Sequence, residues 1–209
     1  PRTLYHLKAL VKTRSASLGT DPLDHMAGVQ VRPKPQAPRE ARRVPARSRR
    51  DQGARALQYG SGQGDIHLRE QILDITAEVG VRAHPDDIIV TTGSQMALDL
   101  VTRTFCDPGD VVLVESPSYV GALGVFRSYE CDIVHVAMDD DGLVPSALRE
   151  TIESVRAQGK RIKLLYTIPS FHNPAGVTQP AERRREILEI AQSAGIAVLE
   201  DDPYGLLGF

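Results

Sequence analysis

The strongest constraint on the fold is a series of short, almost wholly apolar runs separated by helix-length segments. Val111-Val-Leu-Val114, Lys163-Leu-Leu-Tyr-Thr167 and Ile196-Ala-Val-Leu199 show almost no alternation of apolar and polar residues. A strand with one wet face alternates, so runs like these are predicted to lie in a sheet covered on both faces. The intervening text has the period of helices. Leu68, Ile72, Ile75 and Val79 predict an amphipathic helix over His67 to Val79, and a helix holding Met96, Leu100 and Val101 follows Gly93. Further helices are expected from about Tyr119 to Arg127, from Pro145 onward, and from about Pro180 to Ser193, the last closed by Gly195. Two more strands are expected, Asp87 to Thr91 and Asp132 to Ala137, and Asp139 to Gly142 reads as a turn. The fold class is α/β, a mostly parallel sheet flanked by helices.

The chain divides near its fiftieth residue. Residues 1–50 carry a net charge of +9 and residues 51–209 a net charge of −11. Prolines 33, 35, 38 and 45 interrupt a stretch with almost no large apolar side chains, so it cannot offset the entropy of ordering itself. Residues 1–54 therefore read as an irregular, basic Arg/Pro-rich arm, and 55–209 as the folded part. Arginine and proline excess is also what a GC-rich gene gives in a shifted reading frame, which the nucleotide sequence would reveal. No nucleic-acid partner is expected for the arm. No apolar run reaches the roughly 18–20 residues that span a bilayer, and the N-terminus has no signal-peptide layout. Cys106 and Cys131 have no metal-ligand spacing and are expected to be reduced thiols in a cytoplasmic protein.

In a parallel sheet, ligands bind beyond the carboxyl ends of the strands. Thr92-Gly-Ser-Gln95 opens a helix there, where free N–H groups and the helix dipole suit a phosphate; a plain N-cap serine explains it equally. Tyr119 follows Ser116-Pro-Ser and can stack on an aromatic ligand or simply pack on the rim. Asn173, before Pro174-Ala-Gly176, is good turn chemistry and also a donor to a phenolate-like oxygen. Asp201 is either a solvated acidic turn or a carboxylate that keeps a ring nitrogen protonated. Each has an ordinary structural explanation. Together they are the contacts a phosphorylated pyridine asks for.

These residues resemble the fold-type I, pyridoxal-phosphate-dependent aminotransferases of class I/II. The branch is that of 2-aminoadipate and kynurenine aminotransferases and of the aminotransferase-like domains of GntR-type regulators. The likeness rests on Tyr59-Gly60 with Gly64, Leu68-Arg-Glu70, Thr92-Gly-Ser-Gln-Met-Ala-Leu98, Glu115-Ser-Pro-Ser-Tyr119, Pro169 with Asn173-Pro-Ala-Gly176, and Glu200-Asp-Asp-Pro-Tyr204. It implies that residues 55–209 are the N-terminal part of the large domain of that fold. It implies pyridoxal 5′-phosphate as cofactor, amino acid and 2-oxo acid substrates, and a homodimer. Ser94 and Gln95 would hold the phosphate, Tyr119 would stack on the ring, and Asn173 and Tyr204 would reach its O3′. Asp201 would pair with the ring nitrogen, and Tyr59 would reach the neighbouring subunit's phosphate. The Asn-Pro bond is often cis in the family.

The resemblance also implies a Schiff-base lysine beyond the aspartate and a late arginine for the substrate carboxylate. Lysines stand only at 8, 12, 34, 160 and 163, none after Asp201. The chain by itself is expected not to transaminate, and no catalytic residue is assigned. The alternative function is the effector domain of a GntR-type regulator.

Overall fold

The computed structural model describes residues 60–207. The basic arm and Tyr59 lie outside the described residues. The described residues belong to two compact units divided at Thr91/Thr92.

In the first unit, helix α1 spans Ile66–Ala77. Asp65 caps it, its side chain accepting from the N–H groups of His67 and Leu68. Its expected apolar stripe is only partly covered by described residues: Leu68 and Ile75 are exposed, Ile72 half-buried, and Val79 falls beyond the helix end. The buried member is instead Arg69, whose guanidinium donates to the Pro85 carbonyl at 2.7 Å. The strand expected over Asp87 to Thr91 is not formed. Pro85–Asp87 is a 3-10 turn, locked because Asp87 accepts the His84 N–H at 2.8 Å and His84 accepts the Asp86 N–H. Ile88 is extended, but no strand of the described residues pairs with this segment. An apolar run becomes a strand only with a neighbour to complete its ladder.

The second unit is a five-stranded sheet in the order β3-β2-β1-β4-β5. The strands are β1 (Val111–Ser116), β2 (Asp132–Asp139), β3 (Gly142–Leu143), β4 (Ile162–Thr167) and β5 (Ala197–Glu200). The pairs β1–β2, β1–β4 and β4–β5 are parallel. The Asp139 to Gly142 turn closes a short antiparallel hairpin with β3, too brief to show in the sequence pattern. Helices α2 (Ser94–Phe105) and α3 (Val120–Ser128) cover one face; α4 (Pro145–Ala157) and α5 (Ala181–Ser193) cover the other. The period of two sorts the strand residues between them. Val112, Val114, Leu164, Tyr166 and Leu199 pack with Leu98, Ala122 and Phe126, while Val111, Leu113 and Leu165 pack with Leu148, Ile152 and Ile187. Pro145 sits at the start of α4, and Gly195, at φ 68°, follows α5, both as the sequence implies.

Cys106 and Cys131 are buried and free. Burial first, then the neighbouring Cys131, push the Cys106 thiol up to about 12, so it stays protonated and unreactive. No helix among the described residues is long and apolar enough to cross a membrane.

At the amino end of β1, Asp110 is buried against Arg161, with Nε on Oδ1 at 2.6 Å and Nη2 on Oδ2 at 2.9 Å. Burial raises the Asp110 pKa, but the hydrogen bonds and charge of Arg161 outweigh it and hold the group below its ordinary value. A depressed folded-state pKa stabilises above the unfolded value and loses that contribution as pH falls through the folded one. In urea titrations, Arg161→Met is therefore expected to be less stable than the parent chain at pH 6, with a smaller gap at pH 3, below the ordinary carboxyl value of about 3.9 in the unfolded chain. A gap that is the same at both pH values would contradict this reading of the pair.

Candidate functional site at the carboxyl ends of the strands

The register brings the ends of β1, β4 and β5 side by side, with Val114 opposite Tyr166 and Thr167 opposite Glu200. The segments that follow them carry Tyr119, Asn173 and Asp201 in turn. Helix α2 begins at Ser94 on Gly93, which has φ 95° and gives no side-chain cap. Only a glycine takes that conformation without strain. With no capping side chain, the N–H groups of the first turn remain as donors at the positive end of the helix dipole.

Ser94 is half-buried and Gln95 exposed. The Gln95 amide is engaged: Nε2 donates to the Gly121 carbonyl at 3.0 Å, tying the start of α2 to the start of α3. Tyr119 is half-buried and lies over Gly121, where a Cβ would fall 2.5 Å from its ring hydroxyl. Asn173 is half-buried in a loop whose backbone is closely hydrogen-bonded, with His172 N–H on the Val177 carbonyl at 2.8 Å and Gln179 N–H on the Pro169 carbonyl at 2.9 Å. The Asn173–Pro174 bond is cis, as the family resemblance implies, and so is Ser116–Pro117. Tyr204 is partly exposed beyond β5.

Asp201 differs from a solvated turn: it is 5% exposed. Burial raises its pKa, a hydrogen bond from Tyr166 lowers it, and the charge of Asp202 raises it again; the net direction is upward. A carboxylate kept out of water at a sheet edge is costly unless something cationic meets it.

Beneath the edge lies a second buried carboxyl group that the sequence reading left without a role. Glu115 is fully buried at the end of β1. Its Oε1 accepts from Thr167 Oγ1 and Gln179 Nε2, each at 2.7 Å, and its Oε2 accepts from the Ile168 N–H at 2.8 Å. His172 Nδ1 accepts from the Ala175 N–H, which leaves the ring proton on Nε2. That nitrogen lies 3.0 Å from Glu115 Oε2, but off the hydrogen-bonding line. One side chain thus fastens the end of β1, the end of β4 and the return of the Asn173 loop. The signal was present in the sequence: a glutamate closing an otherwise apolar strand.

This mostly parallel sheet covered by helices on both faces is an α/β fold, and it matches the fold of solved pyridoxal-phosphate-dependent aminotransferases. The chain belongs to the aminotransferase class I and II family, whose match covers residues 28–209. It is 41% identical over 157 residues to aromatic-amino-acid aminotransferase 1 of Thermococcus litoralis, covering 75% of this chain and 38% of that one. It is 33% identical over 157 residues to an HTH-type transcriptional regulator of Bacillus subtilis, covering 75% and 31%. Among solved structures it is similar to a Pyrococcus horikoshii kynurenine aminotransferase in complex with PMP, with a TM-score of 0.69 and 41% identity over 75% of this chain and 39% of that one. The chain thus spans about two fifths of the length of the aminotransferases it matches.

Proposed function

We propose that the described residues are the cofactor-holding part of an aminotransferase that moves an amino group between an amino acid and a 2-oxo acid, with pyridoxal 5′-phosphate as cofactor. The burial of Asp201 just beyond the carboxyl end of β5 carries this reading. The phosphate goes to the N–H groups of the α2 first turn, with the Ser94 hydroxyl; Gln95 contributes its backbone N–H while its amide holds Gly121. Tyr119 stacks on the ring, Asn173 and Tyr204 donate to O3′, and Asp201 holds a proton on the ring nitrogen. Tyr59 completes the phosphate site of a neighbouring subunit in a homodimer. When bound, the cofactor supplies an electron sink for charge developing on the substrate.

Binding and orientation are what these residues supply. Among the described residues no lysine stands at this edge: Lys160 is paired with Asp132 at 2.8 Å, and Lys163 lies near the amino end of β4. Covalent attachment and substrate gripping are assigned to residues outside the described part.

The stacking role is tested by Gly121→Ala. The added methyl meets the far end of the Tyr119 side chain, which can swing aside, so the melting temperature is expected to stay within a few degrees. Affinity for pyridoxamine 5′-phosphate is expected to fall about three- to tenfold, the worth of one aromatic contact. Unchanged affinity would remove Tyr119 from the site. The likeness to the Bacillus regulator favours a second reading, in which the same site senses the cofactor for a DNA-binding domain. A gene whose reading frame continues upstream into a winged helix-turn-helix would decide for it.

A further inference from the structure

We propose that Tyr166 is the positioning residue for Asp201: its buried hydroxyl fixes one carboxylate oxygen and leaves the other to meet the protonated ring nitrogen. The inference rests on the cofactor reading above and assigns the Asp201 geometry to a residue one strand away.

Tyr166 Oη donates to Asp201 Oδ2 at 2.7 Å, and both groups are buried. Among the described residues it is the side chain that donates to Asp201. The backbone adds a second tie, the Asp201 N–H donating to the Thr167 carbonyl at 2.9 Å. Asp201 is therefore anchored to two successive residues of β4. The tyrosine is itself packed on all sides: it is fully buried, and its ring meets Phe126 edge-on with centroids 5.5 Å apart.

A hydroxyl in an apolar cluster costs free energy unless it is paired, and phenylalanine would fill the same space without that cost. The hydroxyl is thus accounted for by its partner. The groups facing it are Asp201, Glu115 and Tyr119, and Asp202 stands next to Asp201. Burial, then the Asp201 charge, push the Tyr166 phenol far up, so it remains a donor throughout the working range. The cationic counterpart to this cluster is supplied by the ligand. Without the tyrosine hydroxyl, Asp201 keeps its burial and its Asp202 neighbour but loses the interaction that favours its charged form.

The test compares the parent chain with Tyr166→Phe, using ¹³C-labelled aspartate to follow the Asp201 carboxyl through a pH titration without cofactor. Affinity for pyridoxamine 5′-phosphate is then measured over the same pH range. The Asp201 midpoint is expected to rise by about one pH unit in the variant, the worth of a charge-assisted hydrogen bond. The acid limb of the affinity profile should move with it. A purely structural tyrosine would instead lower affinity by one factor at every pH and leave the midpoint in place, which would overturn the proposal. If the parent chain does not bind the probe, the cofactor reading fails, and the Asp201 midpoint still decides the role of Tyr166. If the phenylalanine variant does not fold, 3-fluorotyrosine encoded at position 166 keeps the contact and strengthens the donor. The midpoint should then fall, and an unmoved midpoint would overturn the proposal.

Discussion

Replacing Asp201 with asparagine is expected to weaken pyridoxamine 5′-phosphate binding by about one to two orders of magnitude, while raising the melting temperature of the chain at neutral pH. Both effects follow from one buried charge. Asparagine keeps an acceptor for the Tyr166 hydroxyl, so the packing at the end of β4 is preserved. It carries no negative charge and cannot hold a proton on a pyridine nitrogen, so the ring contact loses its electrostatic part.

The stability effect has the opposite sign because burial raises the folded-state pKa of Asp201. A carboxyl whose pKa is raised on folding is most favourable to the fold below its unfolded pKa, and costs stability as pH rises through the folded value. The asparagine chain should therefore melt higher than the parent at pH 7 and level with it below about pH 4. On the proposed reading Asp201 weakens the fold for the sake of a ligand, as functional sites commonly do. A variant that binds normally, or that melts lower than the parent at pH 7, would show that Asp201 is a structural group.

Glu115→Ala is expected to have the largest effect on stability, a loss of about 3–5 kcal/mol in urea unfolding, at about 1–3 kcal/mol for each buried donor left unpaired. The substitution leaves the Thr167 hydroxyl, the Gln179 amide and the Ile168 N–H without their acceptor in a dry interior. Glutamine at the same position restores the shape but turns an NH₂ toward one set of donors. It should lose less than alanine and still fall below the parent. Because Glu115 joins the end of β1 to the Asn173 loop, both variants should also lose cofactor affinity. A loss below about 1 kcal/mol for the alanine variant would mean that the donors find water or other partners.

The unalternated runs placed β1, β4 and β5 because a strand buried on both faces leaves no room for polar side chains. The positions of Tyr119, Asn173 and Asp201 followed from the rule that parallel sheets present their ligand sites at the carboxyl ends. The segment 88–91 has the same composition as a strand, yet it forms no strand among the described residues, because a ladder is a property of two segments. Gln95 was expected as a phosphate donor, but the bond of its amide to the Gly121 carbonyl joins two helices that only the folded chain brings together. Tyr166 was hidden inside an apolar run, where an aromatic ring reads as core and its hydroxyl goes unnoticed. Glu115 stood in plain view at a strand end, but its three donors come from residues 52 to 64 positions away.

The central claim is that this edge of the sheet holds a phosphorylated pyridine with Asp201 on its nitrogen. Calorimetric titration of the chain with pyridoxamine 5′-phosphate at pH 7.5, run beside its Asp201→Asn variant and beside inorganic phosphate, tests it most directly. Saturable one-to-one binding that is much tighter than that of phosphate and is lost in large part in the variant is the predicted result. No saturable binding, or binding that the variant retains in full, would contradict it.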